Sequence, residues 1–586
     1  MSEVKRVWLI TGASSNFGIA LTRALLKAGH RVVAAARTIS KIPFVTHDEL
    51  LVLPMDVSEP ASISRAFEEA VKAFGRIDVV VNKAGVHVCG ELESIPEAAA
   101  REMCDVQLWG PARIQAEAMA IFEAQQSEGL VINISSALAV FNAPLRSMIS
   151  SSKAAAEALT LARARTSPFA SAINVRPGAF EKEPKTDFYP QLAAYASNDL
   201  GRTIAGSMRK QGSPPPGIGD VNKMAASVIA LAELPRELRP KSVSLGSDAY
   251  SMALVCAKKR VDHLQYGQRL LRRLRENGSS PRITSPQVWF VANATSTLGL
   301  ALVRMLLSSG QRVAAVVESR SSAPFRAAED ALLFLEQSSP DSETLEAALV
   351  TAASYFGRVD IVVNVFSPKQ PSSKDEWLAA QALFERVFWN PILVCRAAVK
   401  IFRERNPAGA GGRIFNVLAT PDSEDHAASY HNAANTATNA ASTSLVRELP
   451  GKWNIAAATL TLDPKLFEED ATARILLRLA GVPNAKLPSQ LPIGPRALAI
   501  AQHAAEAELS EVTSEGAMTR AMATDYAHID GRARIGLTEA IFTMVLSPSP
   551  SIIGWIVSAL SVLGWGLRLV AYEKVLSRCE NHPISQ

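Results

Sequence analysis

The chain has 586 residues, which is too many for one hydrophobic core and predicts about two to four domains. With 48% hydrophobic residues, 20% charged residues and a net charge of +5, it is typical of globular proteins; no basic run is interleaved with aromatic residues, which argues against a nucleic-acid partner. The five cysteines show no Cys-x-x-Cys spacing, so neither a disulfide framework nor a zinc site is indicated and a reducing, cytoplasmic compartment is favoured.

One segment occurs twice. Residues 7–37 read VWLITGASSNFGIALTRALLKAGHRVVAAAR, and residues 288–318 read VWFVANATSTLGLALVRMLLSSGQRVAAVVE. Each copy has an apolar run, a turn of small residues, a stretch with helical spacing and a second apolar run, which together predict a βαβ unit of a parallel sheet. The predicted fold class is therefore α/β, with two tandem Rossmann-like, doubly wound parallel sheets.

The turn differs between the two copies. Gly12 and Gly18 would let the backbone approach a pyrophosphate at the start of a helix. In the second copy Asn293 takes the first of these positions, and only Gly299 is retained. We therefore expect a dinucleotide in the first copy only, the alternative being a purely structural turn. Arg37, at the end of the second predicted strand, favours the 2′-phosphate of NADP, the alternative being a surface arginine.

Three further motifs follow in the first copy. The pair Asp56-Val57 ends the third predicted strand, NKAG (residues 82–85) follows the fourth, and VRPG occupies residues 175–178. Together with TGASSNFG, these motifs make about residues 4–270 resemble the short-chain dehydrogenase/reductase family. Residues 243–264 resemble the closing strand and helix of the steroid- and retinol-type members of this family. Asn16 and Lys83 depart from the family pattern.

The resemblance implies which residues bind the cofactor. Asp56 and Val57 would hold the adenine, and the NKAG motif would line the nicotinamide side. The implied NADP-binding set is Thr11, Gly12, Ser14, Ser15, Gly18, Ile19, Arg37, Asp56, Val57, Asn82, Ala84, Gly85, Lys153, Pro177 and Gly178.

The catalytic segment departs from the family at its centre. Family members use an Asn, a Ser and a Tyr-x-x-x-Lys motif, in which the Lys lowers the pKa of the Tyr so that the phenol can exchange a proton with the substrate. Here the corresponding residues are Gln107, Ser136, Ile149 and Lys153. An aliphatic side chain has no proton to give. The candidate catalytic residues are thus Ser136, Lys153 and Gln107, in a relay that lacks its phenol.

These motifs leave several functions open. The leading hypothesis is an NADP-dependent oxidoreductase that acts on a small, apolar carbonyl or alcohol substrate through another proton donor. Tyr189 and Tyr195, where the family has its substrate lid, and His87 are candidate donors. The alternatives are a catalytically inactive scaffold, or a non-redox isomerase or cyclase in a pocket lined by Lys83, His87, Ser136 and Lys153.

The second copy has lost most chemical positions. Alignment places His431 and Asn435 at the Tyr and Lys positions, with Tyr430 one residue out of register, so we expect Tyr430 and His431 to be ordinary core or loop residues. A degenerate copy could still supply the helical surface through which family members pair. The sequence therefore predicts an internal pseudo-dimer in which residues 107–122 and 153–163 face residues 389–402 and 435–448, with further self-association left open.

The predicted domains are an NADP-binding domain (1–275), a linker rich in Gly, Ser and Pro (276–286), a degenerate domain (287–512) and a helical tail (513–586). Residues 551–567 of the tail carry no charge, and Trp555 and Trp565 would suit a membrane interface. Segment 551–572 is therefore either a tail anchor that leaves the body in the cytosol or a helix docked on the protein.

Overall fold

The computed structural model describes residues 5–179, 186–197, 219–276, 285–319, 330–337, 342–365, 375–421, 426–463, 468–493 and 497–502, together with residues 325, 328, 505, 506 and 509. The apolar segment 551–572, like all of the tail predicted at 513–586, lies outside the described residues. In the ranges given above, no helix has both the length and the hydrophobicity of a membrane span.

The first repeat alternates strands and helices as the hydrophobic pattern predicts. Its strands are β1 (Val7–Thr11), β2 (Arg31–Ala36), β3 (Leu50–Pro54), β4 (Val79–Asn82), β5 (His87–Cys89), β6 (Gly129–Ile134), β7 (Ala170–Pro177), β8 (Thr186–Phe188) and β9 (Ser242–Leu245). Its helices are α1 (Asn16–Lys27), α2 (Pro60–Phe74), α3 (Glu97–Cys104), α4 (Gly110–Ala124), α5 (Leu138–Phe141), α6 (Ser147–Ala164), α7 (Val221–Glu233) and α8 (Ser247–Glu276).

The second repeat follows the same plan. Its strands are β10 (Val288–Val291), β11 (Arg312–Val317), β12 (Leu332–Glu336), β13 (Ile361–Val365), β14 (Gly412–Ala419), β15 (Ile455–Leu462) and β16 (Gln490–Ile493). Its helices are α9 (Thr297–Ser308), α10 (Ser342–Phe356), α11 (Glu376–Phe384), α12 (Asn390–Glu404), α13 (His426–Glu448) and α14 (Glu469–Leu479). A π-helical turn, Asp105–Trp109 in one repeat and Glu385–Trp389 in the other, precedes α4 and α12.

Each repeat builds one seven-stranded parallel sheet. The orders are β3-β2-β1-β4-β6-β7-β9 and β12-β11-β10-β13-β14-β15-β16, so the strand order reverses beside the first strand of each repeat. Such a reversal is the place where doubly wound sheets bind ligands, at the carboxyl ends of the strands. The predicted pair of Rossmann-like sheets is confirmed.

The turn before the first helix shows what the two repeats share and where they differ. Ser15 caps α1 by accepting from the Gly18 backbone N–H, and Ser296 caps α9 through Gly299, each at 3.1 Å. A Cβ on Gly18 would lie 2.7 Å from the Gly12 carbonyl, and one on Gly299 would lie 2.1 Å from the Asn293 carbonyl. Helix packing therefore requires the second glycine in both copies, whether or not a cofactor binds.

The two repeats pack against each other through their helices, chiefly α6 along α13, as the pseudo-dimer prediction required. Ile149 and Leu159 of the first repeat share one buried hydrophobic cluster with Ala437 and Leu445 of the second. Tyr430 is a core residue of this interface, because it is 2% exposed and its hydroxyl accepts a hydrogen bond from Arg163 Nη1 at 2.9 Å.

Helix α8 joins the two repeats along its length. It follows β9 of the first sheet, and its far end places Leu271 and Leu274 in the hydrophobic core of the second repeat. The Tyr266 hydroxyl donates to the Lys486 carbonyl of that repeat at 3.0 Å. The helix ends at Glu276, next to the segment interpreted above as a linker.

Candidate functional site

A cavity of about 510 Å³ opens at the carboxyl ends of the first sheet's strands. It is bordered by the turn after β1, the loops after β4, β6 and β7, and parts of α7 and α8. Its lining consists of Ser15, Asn16, Phe17, Lys83, Gly85, His87, Ile134, Ser135, Ser136, Ala137, Leu138, Arg146, Lys153, Pro177, Gly178, Ala179, Val221, Met224, Asp248 and Met252.

The turn after β1 is held close to the loop after β4. Thr11 Oγ1 accepts hydrogen bonds from the backbone N–H groups of Lys83 at 2.9 Å and Ala84 at 3.1 Å. Gly12 has a φ of 65°, and a Cβ there would lie 3.0 Å from the Ala84 backbone. No positive φ occurs at Asn293 of the second repeat. Only the first repeat therefore keeps the turn conformation that brings backbone N–H groups close to a phosphate.

The rim of the cavity fits the diphosphate of a dinucleotide. Ser15, Asn16 and Phe17 line the cavity at the start of α1, where the partial positive charge of a helix N-terminus favours an anion. Ser14 is half-buried in the same turn, and Ile19 is half-buried one turn into the helix.

The residues expected near the adenosine lie outside the cavity lining. Arg37 is exposed where β2 ends, as a contact to a 2′-phosphate would require. Asp56 Oδ1 accepts from the Ser58 N–H at 3.0 Å and hydroxyl at 2.6 Å. Val57 is buried under α4, where a Cβ on Gly110 would lie 2.6 Å from its carbonyl. Asn82, which was expected on the nicotinamide side, also lies outside the lining; it donates to the Pro111 carbonyl at 3.4 Å, and its Oδ1 is buried without a hydrogen-bond partner.

Two of the three candidate catalytic residues line the cavity. Ser136 and Lys153 lie there together with Gly85. Lys153 is 6% exposed, and its Nζ donates to the Ile134 carbonyl at 3.2 Å. Burial, followed by the charge of Lys83, lowers the pKa of Lys153 to about 8, and burial also lowers the pKa of Lys83 to about 8.

The third candidate, Gln107, ties two elements together. Its amide group donates to the Val86 carbonyl and accepts from the Ser152 hydroxyl at 3.1 Å, which links the loop after β4 to α6. Its Nε2 lies 3.9 Å from the position of a Cβ on Gly85, as does Lys153 Nζ, so the amide still borders the predicted nicotinamide side.

Ile149 is not among the residues that line the cavity, although Lys153, one helical turn later on α6, is. The Ile149 side chain is 0% exposed and belongs to the hydrophobic cluster that joins the two repeats. The position that carries the phenol in the family is therefore part of the packed interface.

The proposed tyrosine substitutes also lie outside the cavity lining. Tyr195 is 1% exposed, and its hydroxyl donates to the Glu93 carboxylate. Its ring packs edge-on to Trp453, with 4.8 Å between the ring centroids. Burial raises the pKa of this phenol far above its usual range. Tyr189 donates its backbone N–H to the Cys89 carbonyl at 2.8 Å. Tyr195 is thus a contact between the repeats rather than a lid residue over the cavity.

His87, the remaining candidate donor, lines the cavity in its neutral form. Its pKa is lowered to about 3, first by burial and then by the positive charges of Lys153, Arg146 and Lys83. Its Nδ1 is buried without a hydrogen-bond partner. A neutral imidazole at physiological pH is a poor general acid.

Arg146 is a lining residue that the sequence reasoning missed. It is 8% exposed, directly precedes α6, and has its guanidinium carbon 6.0 Å from the centre of the Phe188 ring. It is the single charged residue between Ser136 and Lys153, and that isolation was the signal available in the sequence.

The loop before Arg146 is held by the end of α13 in the second repeat. Ser444 Oγ donates to the Ala143 carbonyl, and Arg447 donates to the Asn142 carbonyl at 3.0 Å. The Glu448 carboxyl accepts from the Leu145 N–H at 3.1 Å. We call these three side chains, Ser444, Arg447 and Glu448, the α13 clamp.

Glu448 holds two loops of the first repeat at once. Besides Leu145, it accepts from the Leu92 N–H at 2.8 Å. Asn142 and Leu145 have φ values of 51° and 63°, which are costly for residues other than glycine and persist when the surroundings fix them. Burial raises the pKa of Glu448 to about 8, although both backbone hydrogen bonds oppose the shift.

The comparisons with known proteins agree with this architecture. A profile of the short chain dehydrogenase family matches residues 6–186. An uncharacterized oxidoreductase of Schizosaccharomyces pombe is 35% identical over 178 residues, which are 30% of this chain and 61% of the relative. Oxidoreductase calM of Penicillium decumbens is 30% identical over 269 residues, which are 43% of this chain and 87% of the relative.

Two solved structures resemble both repeats together. They are the N-domain and the C-domain of a bacterial malonyl-CoA reductase, each solved with NADP, at 16% identity. They cover 83% of this chain and 97% and 98% of their own, with TM-scores of 0.60 and 0.57. At this identity the likeness concerns the tandem fold.

Three observations point to the same family. They are the parallel sheet, the glycine turn tied to the loop after β4, and the relative that is matched over most of its length. The chain belongs to the short-chain dehydrogenase/reductase family, as an oxidoreductase-like tandem duplication.

Proposed function

We propose that the first repeat is an NADP-dependent oxidoreductase that interconverts a carbonyl compound and an alcohol, with Lys153 replacing the missing phenol as the proton donor. The observation that carries this proposal is the position of Lys153, which lines the same cavity as Ser136, Gly85 and the turn at the start of α1.

NADP is the cofactor that these residues suit best. The conformation of Gly12 and the exposed Arg37 support the diphosphate and the 2′-phosphate respectively. The bound nucleotide in both malonyl-CoA reductase domains adds support by relationship. The second repeat has neither a glycine at the position of Gly12 nor an arginine at the position of Arg37, so we propose that each chain binds one nucleotide.

When bound, NADPH supplies the hydride that reduces the carbonyl carbon. Negative charge then builds on the carbonyl oxygen, where the Ser136 hydroxyl can donate a hydrogen bond and the Lys153 ammonium can transfer a proton from Nζ. An ordinary lysine is too weak an acid for this task, whereas a pKa of about 8 brings Lys153 close to the working pH while it is still mostly protonated. Water then returns the proton to Nζ.

The test uses the purified full chain. NADPH binding is followed by the fluorescence of the nicotinamide, and turnover by the loss of its absorbance with a panel of ketones and oxo acids. We expect Lys153→Met to lower kcat about 10²–10⁴-fold, the usual contribution of a positioned general acid. The matched control is Lys72→Met, because Lys72 is an exposed lysine of α2.

A scaffold without catalysis would behave differently. It would bind NADPH and reduce nothing in the panel, and Lys153→Met would then change only the affinity for the nucleotide. An isomerase or cyclase would consume its substrate without net oxidation of NADPH. Either result would replace the oxidoreductase proposal.

A further inference from the structure

A second, smaller cavity lies at the junction of the two repeats. It has a volume of about 60 Å³ and shares no lining residue with the cavity that would hold the cofactor. The end of α5 and the middle of α8 form one wall, and α13 and the start of β16 form the other. A single water molecule needs about 10–15 Å³ of such space, so a small polyatomic ion fits.

Two buried polar side chains that line this cavity have no partner among the described residues. Asn142 is 9% exposed and Thr443 is 8% exposed, and neither Asn142 Oδ1 nor Thr443 Oγ1 makes a hydrogen bond. A helical threonine commonly donates to the carbonyl one turn earlier, as Thr436 of α13 does to the Asn432 carbonyl at 2.7 Å. Because buried polar atoms nearly always have a partner, the two orphaned atoms indicate that a polar group occupies the cavity.

Arg447 gives the cavity a positive charge. Its guanidinium donates to the carbonyls of Phe141 and Asn142, and in the part of the chain that the structure describes it pairs with no carboxylate. Burial lowers the pKa of Arg447, and burial followed by the charge of Arg447 lowers the pKa of Lys259 to about 8. Asp262 opposes the second shift, but it is exposed and no lining residue is acidic. The lining therefore favours an anion.

The types of hydrogen bond that the lining can make narrow the anion. The Arg447 guanidinium and the Thr443 hydroxyl can donate to an oxyanion. Asn142 Oδ1 can only accept, so the ligand must also present a donor. Carboxylates and sulfate offer acceptors alone near neutral pH, whereas a hydrogen phosphate group carries both P–O⁻ acceptors and a P–OH donor. Hydrogen phosphate therefore matches the lining best.

Two helices of the first repeat border both cavities. On α5, Leu138 lines the cofactor cavity and Val140 lines the smaller one. On α8, Met252 and Cys256, one helical turn apart, divide in the same way. A ligand of the smaller cavity would therefore lie directly behind the walls of the cofactor cavity.

We propose that this cavity binds a singly protonated or doubly protonated phosphate group, either inorganic phosphate or the head of a phosphate monoester, through Arg447, Thr443 and Asn142. The ligand contacts both repeats at once and so stabilises their packing. The site is separate from the NADP site and does not rest on the proposed function.

The experiment is a calorimetric titration of inorganic phosphate into the full chain saturated with NADP⁺, in Bis-Tris at about pH 6. We expect one phosphate to bind per chain, and sulfate to bind about tenfold more weakly or less, because it leaves Asn142 Oδ1 unpaired. Glycerol 3-phosphate, whose second pKa is also about 6, identifies the source: tighter binding than phosphate indicates a monoester, and weaker binding indicates the free ion.

Variants locate the site. Thr443→Val keeps the side-chain shape and removes an unpaired hydroxyl, so the chain should fold at least as well and bind phosphate about 10–100-fold more weakly. Asn142→Asp, which adds a negative charge at the same position, should abolish binding. Thr436→Val on the same helix is the matched control and should change nothing.

Three results would overturn the phosphate site. They are no binding of phosphate or glycerol 3-phosphate to the wild-type chain, sulfate binding as tightly as phosphate, and unchanged phosphate affinity in folded Thr443→Val. Urea unfolding in phosphate and in sulfate gives an independent readout, because both ions stabilise proteins in general but only phosphate should stabilise the wild-type chain more than Thr443→Val. Equal stabilisation of the two chains by phosphate would also refute the site.

Discussion

Replacing Glu448 tests whether the second repeat holds the site of the first. Its carboxyl accepts backbone hydrogen bonds from Leu92 and Leu145, and its side chain is buried. In Glu448→Gln the amide has one oxygen, so one of the two N–H groups loses its acceptor at almost unchanged volume. A buried unsatisfied N–H costs about 1–3 kcal/mol, so we expect the free energy of unfolding to fall by about that amount near neutral pH.

The pH dependence gives the clearest signature. Because the pKa of Glu448 is raised to about 8, the folded chain keeps this proton while the unfolded chain has lost it from about pH 4.5 upward. The unfolded state therefore binds fewer protons in this window, and the contribution of Glu448 to stability falls as pH rises from about 4.5 to about 8. The Gln variant has no such group, so the stability difference between the two proteins should shrink toward pH 8.

Urea unfolding of the full chain at about pH 6 and about pH 8, followed by tryptophan fluorescence, measures both effects. The control is Glu237→Gln, which changes an exposed carboxylate. Glu448→Gln should also raise KM for the preferred substrate more than it lowers kcat, because Arg146 loses part of its support. Equal stability and an equal pH slope in wild type and variant would refute the clamp.

Three further results are expected. Arg37→Ala should weaken NADPH about 10–100-fold and NADH little, in titrations that give one nucleotide per chain; equal losses, or two nucleotides, would contradict the assignment. The rate of ketone or oxo-acid reduction should fall as pH rises through about 8, where Lys153 loses its proton, and a rate that is flat in pH would exclude Lys153 as the donor. Ile149→Tyr with Gln107→Asn should raise reduction by restoring the phenol relay, at a cost of about 1–3 kcal/mol for overpacking the interface; no gain in a folded variant would mean that the relay is not what limits the site.

Much of the fold follows from local pattern. The duplicated βαβ signal predicts both sheets, because short apolar runs and helical periods repeat in register. Gly18 and Gly299 illustrate why: each is required by the packing of a helix on a strand, which any copy of the fold must preserve. Gly12 is required by its positive φ and by the close approach of the Ala84 backbone, and Asn293 stands at this position in the copy that does not keep that turn conformation.

Residues of the site could be predicted where their position follows from the sheet, and could not be predicted where it depends on contacts with the other repeat. Ser136 and Lys153 lie in the cavity because they follow strand ends or stand on the helix beside them. Tyr195 packs on Trp453, and Leu145, the neighbour of Arg146, is held by Glu448; both partners are more than 250 positions away in the chain. No periodicity or motif signals contacts of that separation.

The α13 clamp has a consequence for symmetry. In a dimer of two identical chains, a residue that supports the partner's site is present in both chains, so each substitution changes both sites. On the alignment that matches Lys153 with Asn435, the counterpart of Glu448 is Thr166, which has no carboxyl group. On the proposed function, the second repeat supports the site and the first repeat carries the reaction, and because both repeats share one chain, dilution cannot separate them.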